Sequence, residues 1–429
     1  MTNLNLSYLF MFFIVLSFSI QLVLDVIQIK YLNNNKKNVP SQFKEMISLQ
    51  GHQKSIQYSV AKLKHRVKRN IIEIIIIFTL TTGGFLDYML KTFYSFESDF
   101  SIGPHSSAAL MILLFFCALF LIDLPFTLYK QFVIEERFGF NKMTINLFIS
   151  DTIKSTFLSL LLFVPLLFAM FNLIEGRLII GELWWVILWI VTFLLSLTFM
   201  ICYPTFVAPI FNKFTSLQNG SLKTRLEELL DRCKFEAKGL YTMDGSRRSS
   251  HGNAYFAGLG KGKRIVLFDT LIDKLSEKEI EAVLAHEVGH YKCGHIPTRL
   301  LTSSIFSFAF FWLFSLSIDS SLFYVSMGIT SETLDTVGDN TVVYGAFLIL
   351  FFYVLPFLLF PLKPLNSILS RKHEFEADRY AARTSDPQNL ISALIKLYRE
   401  NSAPVITNKW FSLFYDSHPN AKARIEALG

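Results

Sequence analysis

Residues 182–205 read ELWWVILWIVTFLLSLTFMICYPT, a mostly apolar run that decides the class of fold. A stretch of roughly 20 apolar residues is long enough to cross the hydrocarbon core of a bilayer as a helix. Comparable stretches occur at approximately 7–27, 71–90, 106–128, 155–175, 300–324 and 343–362. The chain is 52% apolar and only 17% charged. These features predict a mainly α fold, a multi-pass membrane helical bundle of about seven spans.

The distribution of charge orients these spans. Between residues 28 and 70 the only acidic residue is Glu45, whereas lysine and arginine are frequent. The positive-inside rule makes this loop cytoplasmic, and it then places 206–298 and 363–429 on the cytoplasmic side as well. The net charge of +7 is explained by this asymmetry and by attraction to anionic lipid head groups. Because no basic-aromatic module accompanies it, we expect the lipid bilayer and no nucleic acid as a partner.

Two polar regions interrupt the membrane pattern and divide the chain into four parts. We expect an N-terminal bundle of five spans at 1–205, a cytoplasmic region at 206–298, spans six and seven at 299–362, and a cytoplasmic helical region at 363–429. Within the region 206–298, residues 239–243 and 264–268 have the composition of short strands. An α+β insertion in a membrane bundle is therefore predicted.

The chemistry of the chain is indicated by His286-Glu287-Val-Gly-His290. It lies in the amphipathic pattern of Glu277–Tyr291, and residues i and i+4 share one face of a helix. Two imidazoles so placed can bind one zinc ion, while Glu287 beside them can take a proton from a metal-bound water. The pattern predicts one Zn²⁺ per chain with His286 and His290 as ligands and Glu287 as general base.

A catalytic zinc site needs a third protein ligand and an open fourth position. The segment 371–382, just after the seventh span, offers Glu374 and Asp378 on one helical face. We expect Glu374 to be the ligand and Asp378 to hold a ligand imidazole through its other N–H. His373 is the competitor for the third position, and its alternative interpretation is a solvent-facing histidine. His295 is expected to be an ordinary polar residue, because helical geometry places it far around the helix from His290.

Together, the motif at 286–290, the segment Glu374-Phe-Glu-Ala-Asp378 and the segment Asn253-Ala254-Tyr255-Phe256 resemble the metallopeptidases of family M48. The similarity is greatest to the Ste24-type CAAX prenyl proteases and covers essentially the whole chain. It implies a zincin-like insertion, a large intramembrane chamber and a zinc site at the cytoplasmic end of that chamber. It also implies that prenylated C-terminal CAAX peptides are substrates.

Carried onto this chain, the resemblance implies roles for further residues. Asn253, Ala254 and Tyr255 would bind the extended peptide along an edge strand. His418 and Arg424 would lie near the zinc, where they would stabilise an oxyanion or hold a substrate carboxylate. The alternative for these two residues is the start of an ordinary surface helix.

The function expected from these features is that of a zinc metalloendopeptidase. It would hydrolyse peptide bonds near the C-terminus of prenylated CAAX-type substrates by Glu-assisted attack of zinc-bound water. One alternative is an HtpX-like quality-control protease of membrane proteins without prenyl preference. Another is a zinc-binding membrane protein or transporter that is not an enzyme. The host decides whether the membrane is the bacterial inner membrane or the endoplasmic reticulum, and the sequence leaves both open.

Overall fold

Helices account for most of the structure, a computed structural model that describes residues 3–258 and 263–429. The helices that precede the sheet are α1 (Asn3–Asn34), α2 (Leu49–Leu80), α3 (Phe85–Phe100), α4 (Pro104–Tyr129), α5 (Glu136–Phe138), α6 (Ile145–Glu175), α7 (Arg177–Ile180), α8 (Trp184–Cys202) and α9 (Ala208–Phe211). Six helical segments of the described chain are long and apolar enough to cross a membrane. With α2 and α3 taken as one bent span there are seven, so the prediction of a membrane helical bundle is confirmed.

The second predicted span, 71–90, is not one straight helix. The chain bends by 56° between α2 and α3. A Cβ atom at Gly83 would lie 2.7 Å from the carbonyl oxygen of Thr79, and Gly84 adopts a φ of +73° before α3 begins. Because side chains rarely adopt such a backbone, two successive glycines allow the sharp turn. The expectation of an unbroken helix here is therefore wrong.

Two membrane spans follow the sheet. The first is α13 (His295–Ser317), and the second is formed by α16 (Thr341–Ile349) and α17 (Leu355–Leu358). The short helices α14 (Ser321–Ser326) and α15 (Ser331–Val337) connect the two spans. Every residue of α16 is buried, and it packs against α3 and α4. This helix is thus at the centre of the apolar core of the bundle, because it has no face left for lipid.

A small sheet lies outside the bundle and consists of β1 (Phe214–Ser216), β2 (Gly239–Met243), β3 (Ala254–Ala257) and β4 (Arg264–Phe268). Its strand order is β1-β2-β4-β3, with β2 and β4 parallel and the other pairs antiparallel. The two strands predicted from composition are β2 and β4. No described strand pairs with the outer side of β3, which is therefore an edge strand.

Seven further helices of the described residues lie in the polar regions before α13 and after α17. They are α10 (Ser221–Arg232), α11 (Asp269–Ile272), α12 (Glu277–Lys292), α18 (Lys363–Thr384), α19 (Pro387–Glu400) and, after an irregular stretch, α20 (Lys409–Tyr415), with α21 (Ala421–Leu428) last in the chain. A second apolar core joins α10, α12 and α19 to the inner face of the sheet. The α+β insertion is thus a packed unit with its own core, attached to the membrane bundle through α13 and α18.

The basic segment between α1 and α2 packs on the C-terminal helices. Phe43 belongs to the same buried cluster as Phe411 and Ala421. The Gln42 side chain donates a hydrogen bond of 2.8 Å to Glu426, and the Arg66 guanidinium lies 4.1 Å from the ring centre of Tyr415. The positively charged segment and the C-terminal region therefore lie at the same end of the molecule.

Candidate metal centre and active site

The helix that carries the histidine motif is held firmly at its start. Glu279 accepts a hydrogen bond of 2.7 Å from the backbone N–H of Ser276, which forms a capping box. The same carboxylate accepts hydrogen bonds from Ser392 (2.6 Å) and Lys396 (2.8 Å) on α19. Burial opposes ionisation of Glu279, but the hydrogen bonds from Lys396, Ser392 and Ser276 outweigh it and lower its pKa to about 2. The first turn of α12 is therefore tied to α19 by an ionised carboxylate.

A glycine brings the two ligand-bearing helices together. A Cβ atom at Gly289 would lie 3.0 Å from both Cα and O of Ala377 and 3.2 Å from Cβ of Tyr380. Real Cβ atoms hardly ever have neighbours this close, so α12 and α18 can only pack at this distance with glycine at 289 and a small residue at 377. This close packing brings Glu374 within reach of His286 and His290, which lie about one turn apart on α12.

The potential ligand atoms of His286, His290 and Glu374 converge on one point. Nε2 of His286 and Nε2 of His290 are 3.2 Å apart. The carboxylate of Glu374 approaches the same atoms, with Oε1 3.3 Å from His290 Nε2 and Oε2 3.5 Å from His286 Nε2. Glu374 is only 1% exposed. Three donors of mixed nitrogen and oxygen type thus face one another in a buried position.

These separations fit a zinc ion. Ligand atoms about 2.0–2.2 Å from a tetrahedral zinc lie roughly 3.3–3.5 Å from one another. The distance between the two Nε2 atoms (3.2 Å) and the distances from His290 Nε2 to Oε1 (3.3 Å) and from His286 Nε2 to Oε2 of Glu374 (3.5 Å) are close to this value, with a different carboxylate oxygen in each of the last two contacts. Two imidazoles and one carboxylate are also one of the donor sets that leave a fourth position open in catalytic zinc sites. The residues present therefore fit the metal that the motif predicts.

The electrostatics keep Glu374 ionised. Burial raises the pKa of this carboxyl, but hydrogen bonds from His286, His290 and His418 outweigh it and hold its pKa well below its usual range. For His286, burial opposes protonation, yet hydrogen bonds to Asp378 and Glu374 raise its pKa to about 9. For His290, by contrast, burial outweighs the hydrogen bond to Glu374 and lowers the pKa. The carboxylates of Glu374 and Asp378 thus favour a positive charge beside His286, and a divalent cation supplies such a charge more fully than a proton.

Asp378 and Arg424 form a buried pair behind His286. Oδ1 of Asp378 lies 2.8 Å from Nδ1 of His286, the nitrogen that does not face the other ligand atoms. Arg424 donates two hydrogen bonds to this carboxylate, from Nε (2.8 Å) and from Nη2 (2.6 Å). Arg424 is buried, so it does not belong to an ordinary surface helix. Its bidentate contact instead fixes the carboxylate that orients His286.

His418 lies on the open side of the cluster. Its Nδ1 is 2.7 Å from Oε2 of Glu374, although the side chain is 60% exposed. It precedes α21, which begins at Ala421 with Asn420 as the N-cap. Because one ring nitrogen faces Glu374 and the ring is accessible, the other nitrogen is available to a group outside the cluster.

Glu287 is the one titratable residue of the motif whose side chain has no bonding partner among the described residues. No described residue forms a hydrogen bond or an ion pair with its carboxylate, and the side chain is half-buried. Burial raises the pKa of Glu287, and the neighbouring His286 partly counteracts this effect. A carboxyl group whose pKa is shifted toward neutrality can both accept and return a proton.

The strand next to the motif offers an open edge. Phe268 on β4 donates its N–H to the carbonyl of Asn253 (3.0 Å), so with the observed register Tyr255 also faces β4. The backbone groups of Ala254 and Phe256 therefore point outward. The N–H of Ala254 is covered by Oδ1 of Asn253 at 2.9 Å. This arrangement leaves the edge ready to pair with an extended peptide.

Two histidines differ from their sequence-based expectations. His373 is not solvent-facing: it is 4% exposed and stacks on His295 with ring centres 4.1 Å apart. His295 is 2% exposed, and its Nδ1 lies 2.9 Å from Nδ1 of His290. The expectation failed because α12 ends at Lys292 and Gly294 adopts a left-handed backbone (φ +73°). A new helix then starts at His295, so counting residues around one helix does not apply.

The contact of His295 with His290 could have been predicted only by recognising that α12 ends before Gly294. Its other nitrogen, Nε2, lies 2.9 Å from Oε2 of Glu376. Glycine after the last periodic residue of a helix is a common termination signal, and Gly294 satisfies it. Pro297 lies in the first turn of α13, where proline is tolerated.

Comparison with known families divides the chain into two matching regions. Residues 28–213 match the family described as CAAX prenyl protease N-terminal, five membrane helices. Residues 216–429 match peptidase family M48. The second region contains the complete cluster of His286, His290 and Glu374.

Individual relatives agree with this assignment. The chain is 39% identical to CAAX prenyl protease 1 of Saccharomyces cerevisiae over 72% of its own length and 69% of the relative. It is 34% identical to the CAAX prenyl protease 1 homolog of Arabidopsis thaliana over 97% of its own length and 96% of the relative. The crystal structure of Saccharomyces mikatae Ste24p superposes with a TM-score of 0.87 at 32% identity, covering 100% of this chain and 98% of that one. The chain therefore belongs to the Ste24-type CAAX prenyl proteases of peptidase family M48, and it is an integral membrane metallopeptidase.

Proposed function

We propose that this chain is a zinc metalloendopeptidase that cuts near the C-terminus of prenylated CAAX-type substrates. The observation that carries the proposal is the convergence of His286, His290 and Glu374 next to the free carboxylate of Glu287. The relatives supply the substrate class, since the proteins of yeast and Arabidopsis are named CAAX prenyl proteases.

His286, His290 and Glu374 would hold the zinc. When bound, the metal would supply a Lewis acid that polarises the scissile carbonyl and makes a water molecule more acidic. Glu287 then removes a proton from the attacking water through its carboxylate oxygen. The same oxygen returns the proton to the nitrogen of the leaving amine. With both ring nitrogens protonated, His418 would donate Nδ1–H to Glu374 and Nε2–H to the carbonyl oxygen as negative charge develops there.

Arg424 acts on this chemistry indirectly. Its guanidinium is engaged by Asp378, and its nearest approach to Glu374 is 3.7 Å from Nη1 to Oε2. We therefore assign it to positioning the Asp378–His286 pair and not to contact with the substrate.

The peptide would bind as an additional strand beside β3. Ala254 and Phe256 present their backbone groups to the open edge, and Asn253 would release the N–H of Ala254 as the peptide arrives. Ala254→Pro removes this outward N–H without removing a bond to β4, so we expect KM for the peptide to rise several-fold. Ala254→Val keeps the N–H and should leave KM close to that of the wild type. Equal KM values for the two variants would refute pairing at this edge.

The site would face the cytoplasm. The basic segment between α1 and α2 packs on the C-terminal helices, and the positive-inside rule places that segment in the cytoplasm. Because His418 and Arg424 belong to the same C-terminal region, the catalytic cluster lies at that end too.

The decisive experiment is hydrolysis of a farnesylated CAAX peptide by the purified protein in detergent. Its controls are the same peptide without the prenyl group and the Glu287→Gln variant. Cleavage before the last three residues by the wild type alone, and only of the prenylated peptide, is the expected result. Equal cleavage of both peptides would support instead the broader quality-control activity. Full activity of Glu287→Gln would refute the assigned base.

A further inference from the structure

A chain of hydrogen bonds leads away from His290 on the side opposite the ligand cluster. Nδ1 of His290 lies 2.9 Å from Nδ1 of His295, and Nε2 of His295 lies 2.9 Å from Oε2 of Glu376. His295 is held flat against the ring of His373, with an angle of 12° between the planes. The chain thus joins three helices, since His290 lies on α12, His295 on α13 and Glu376 on α18.

The positions of the protons in this chain follow from simple valence. A ligand nitrogen must offer its lone pair, so Nε2 of a neutral His290 carries no proton and Nδ1 carries one. That proton can only be donated to Nδ1 of His295, which must then accept. A neutral His295 consequently carries its proton on Nε2, where it is donated to the carboxylate of Glu376. Every donor in the chain has an acceptor.

We propose that His295 and Glu376 are positioning residues that hold His290 in the orientation and tautomer needed to bind zinc. The inference rests on the proposed function, because it needs His290 as a metal ligand. His295 would orient His290 in the same way that Asp378 orients His286, whose Nδ1 lies 2.8 Å from the Asp378 carboxylate. The two ligand histidines would then each be fixed by a carboxylate, one directly and one through an intervening imidazole.

An alternative role for His295 and Glu376 is to bind a second cation together with His373, but the geometry disfavours it. His295, His373 and Glu376 present ligand atoms that lie within 4.8 Å of one another, which is close enough for a second cation. However, His295 already uses Nδ1 toward His290 and Nε2 toward Glu376. A cation bound to either nitrogen would displace one of these bonds. A second cation would therefore weaken the support of the first site.

The test measures zinc binding and not activity. Full-length protein in detergent is loaded with Zn²⁺, and transfer of the metal to a chromogenic chelator gives its affinity and release rate. His295→Phe keeps the stacked ring but cannot accept a hydrogen bond, so we expect a zinc affinity about 10–100-fold lower. His295→Asn places an oxygen near the position of Nδ1 and should restore affinity to within about threefold of the wild type. Glu376→Gln, which keeps a neutral acceptor, should fall between the two.

A spectroscopic measurement and a matched control separate positioning from general damage. The visible absorption of the Co²⁺-loaded protein should change in His295→Phe, because the orientation of His290 changes, and return in His295→Asn. His373→Phe preserves the stacking and lies outside the hydrogen-bond chain, so its zinc affinity should stay within about twofold of the wild type. The melting temperature of each metal-free variant identifies any that has lost its fold.

Three results would overturn the inference. Wild-type affinity and an unchanged Co²⁺ spectrum in His295→Phe would show that His290 needs no support. Uptake of a second equivalent of zinc by the wild type, lost in both His295→Phe and His373→Phe, would show that these residues form a second cation site and not a hydrogen-bond chain that supports His290. Failure of the wild type itself to bind zinc more tightly than His286→Ala would refute the zinc proposal and, with it, this inference.

Discussion

The carboxylate of Glu279 should determine how firmly the start of α12 is held. It is buried and accepts hydrogen bonds from Ser276, Ser392 and Lys396. A fall of its pKa from 4.5 to about 2 corresponds to about 3 kcal/mol in favour of the ionised form. Lys396 is 34% exposed, so solvent screening reduces this to about 2 kcal/mol.

Glu279→Gln preserves shape but removes the charge. We expect the opening equilibrium of the first turns of α12 to increase about 30-fold, the equivalent of about 2 kcal/mol. Hydrogen exchange of the amides at 280–284, measured by mass spectrometry at pH 7.5, reports this opening. The matched control is Glu277→Gln on the same turn. The Glu277 side chain is 43% exposed, so this substitution should change exchange less than about threefold.

The effect should depend on pH in a defined direction. The folded-state pKa of Glu279 is lowered, so its contribution is fully present above the unfolded value of 4.5 and is lost as the pH falls toward about 2. The difference between wild type and Glu279→Gln should therefore narrow when the pH is lowered from 4.5 toward 3. Equal exchange rates in the two proteins at pH 7.5, or an equal acceleration by Glu277→Gln, would refute the reasoning.

Three further outcomes are expected from the ligand cluster and its support. Glu374→Ala should lose bound metal, whereas His373→Ala should keep it; elemental analysis of the purified proteins measures both, and the reverse result would move the third ligand. Arg424→Met removes the guanidinium paired with the buried carboxylate of Asp378, which keeps His286 as a partner, and should lower the free energy of unfolding by about 3–5 kcal/mol in denaturant titration; a loss below about 1 kcal/mol would contradict the pairing. Gly289→Ala should cost about 1–3 kcal/mol through helix separation and also weaken zinc binding; unchanged zinc affinity would show that the close packing is not needed.

The features predicted well from sequence are those set by local periodicity. The helix Glu277–Lys292 matches the predicted Glu277–Tyr291, and β2 and β4 coincide with the two predicted strands. Apolar length likewise identified the membrane helices. Each of these features depends on residues within one helix or strand, so a single stretch of sequence contains the information.

The features that sequence did not reveal depend on how distant segments meet. The family resemblance implied that Arg424 lies near the zinc, but its contact with Asp378 results from packing of α21 on α18, and no local pattern around residue 424 encodes that contact. His295 was misjudged because a backbone change at Gly294 reoriented everything after it. The roles assigned to the individual site residues stay predictions until the variants are measured.

The close contact between α12 and α18 also has a consequence for how the protein is made. His286 and His290 leave the ribosome before two further membrane spans, whereas Glu374 follows them. The proposed zinc site would therefore be incomplete until the last spans have been inserted and α18 has docked at Gly289. A nascent chain that stalls or inserts wrongly would lack one of the three proposed ligands and would remain inactive. Membrane insertion would thus serve as a checkpoint that protects neighbouring proteins from an unfinished protease.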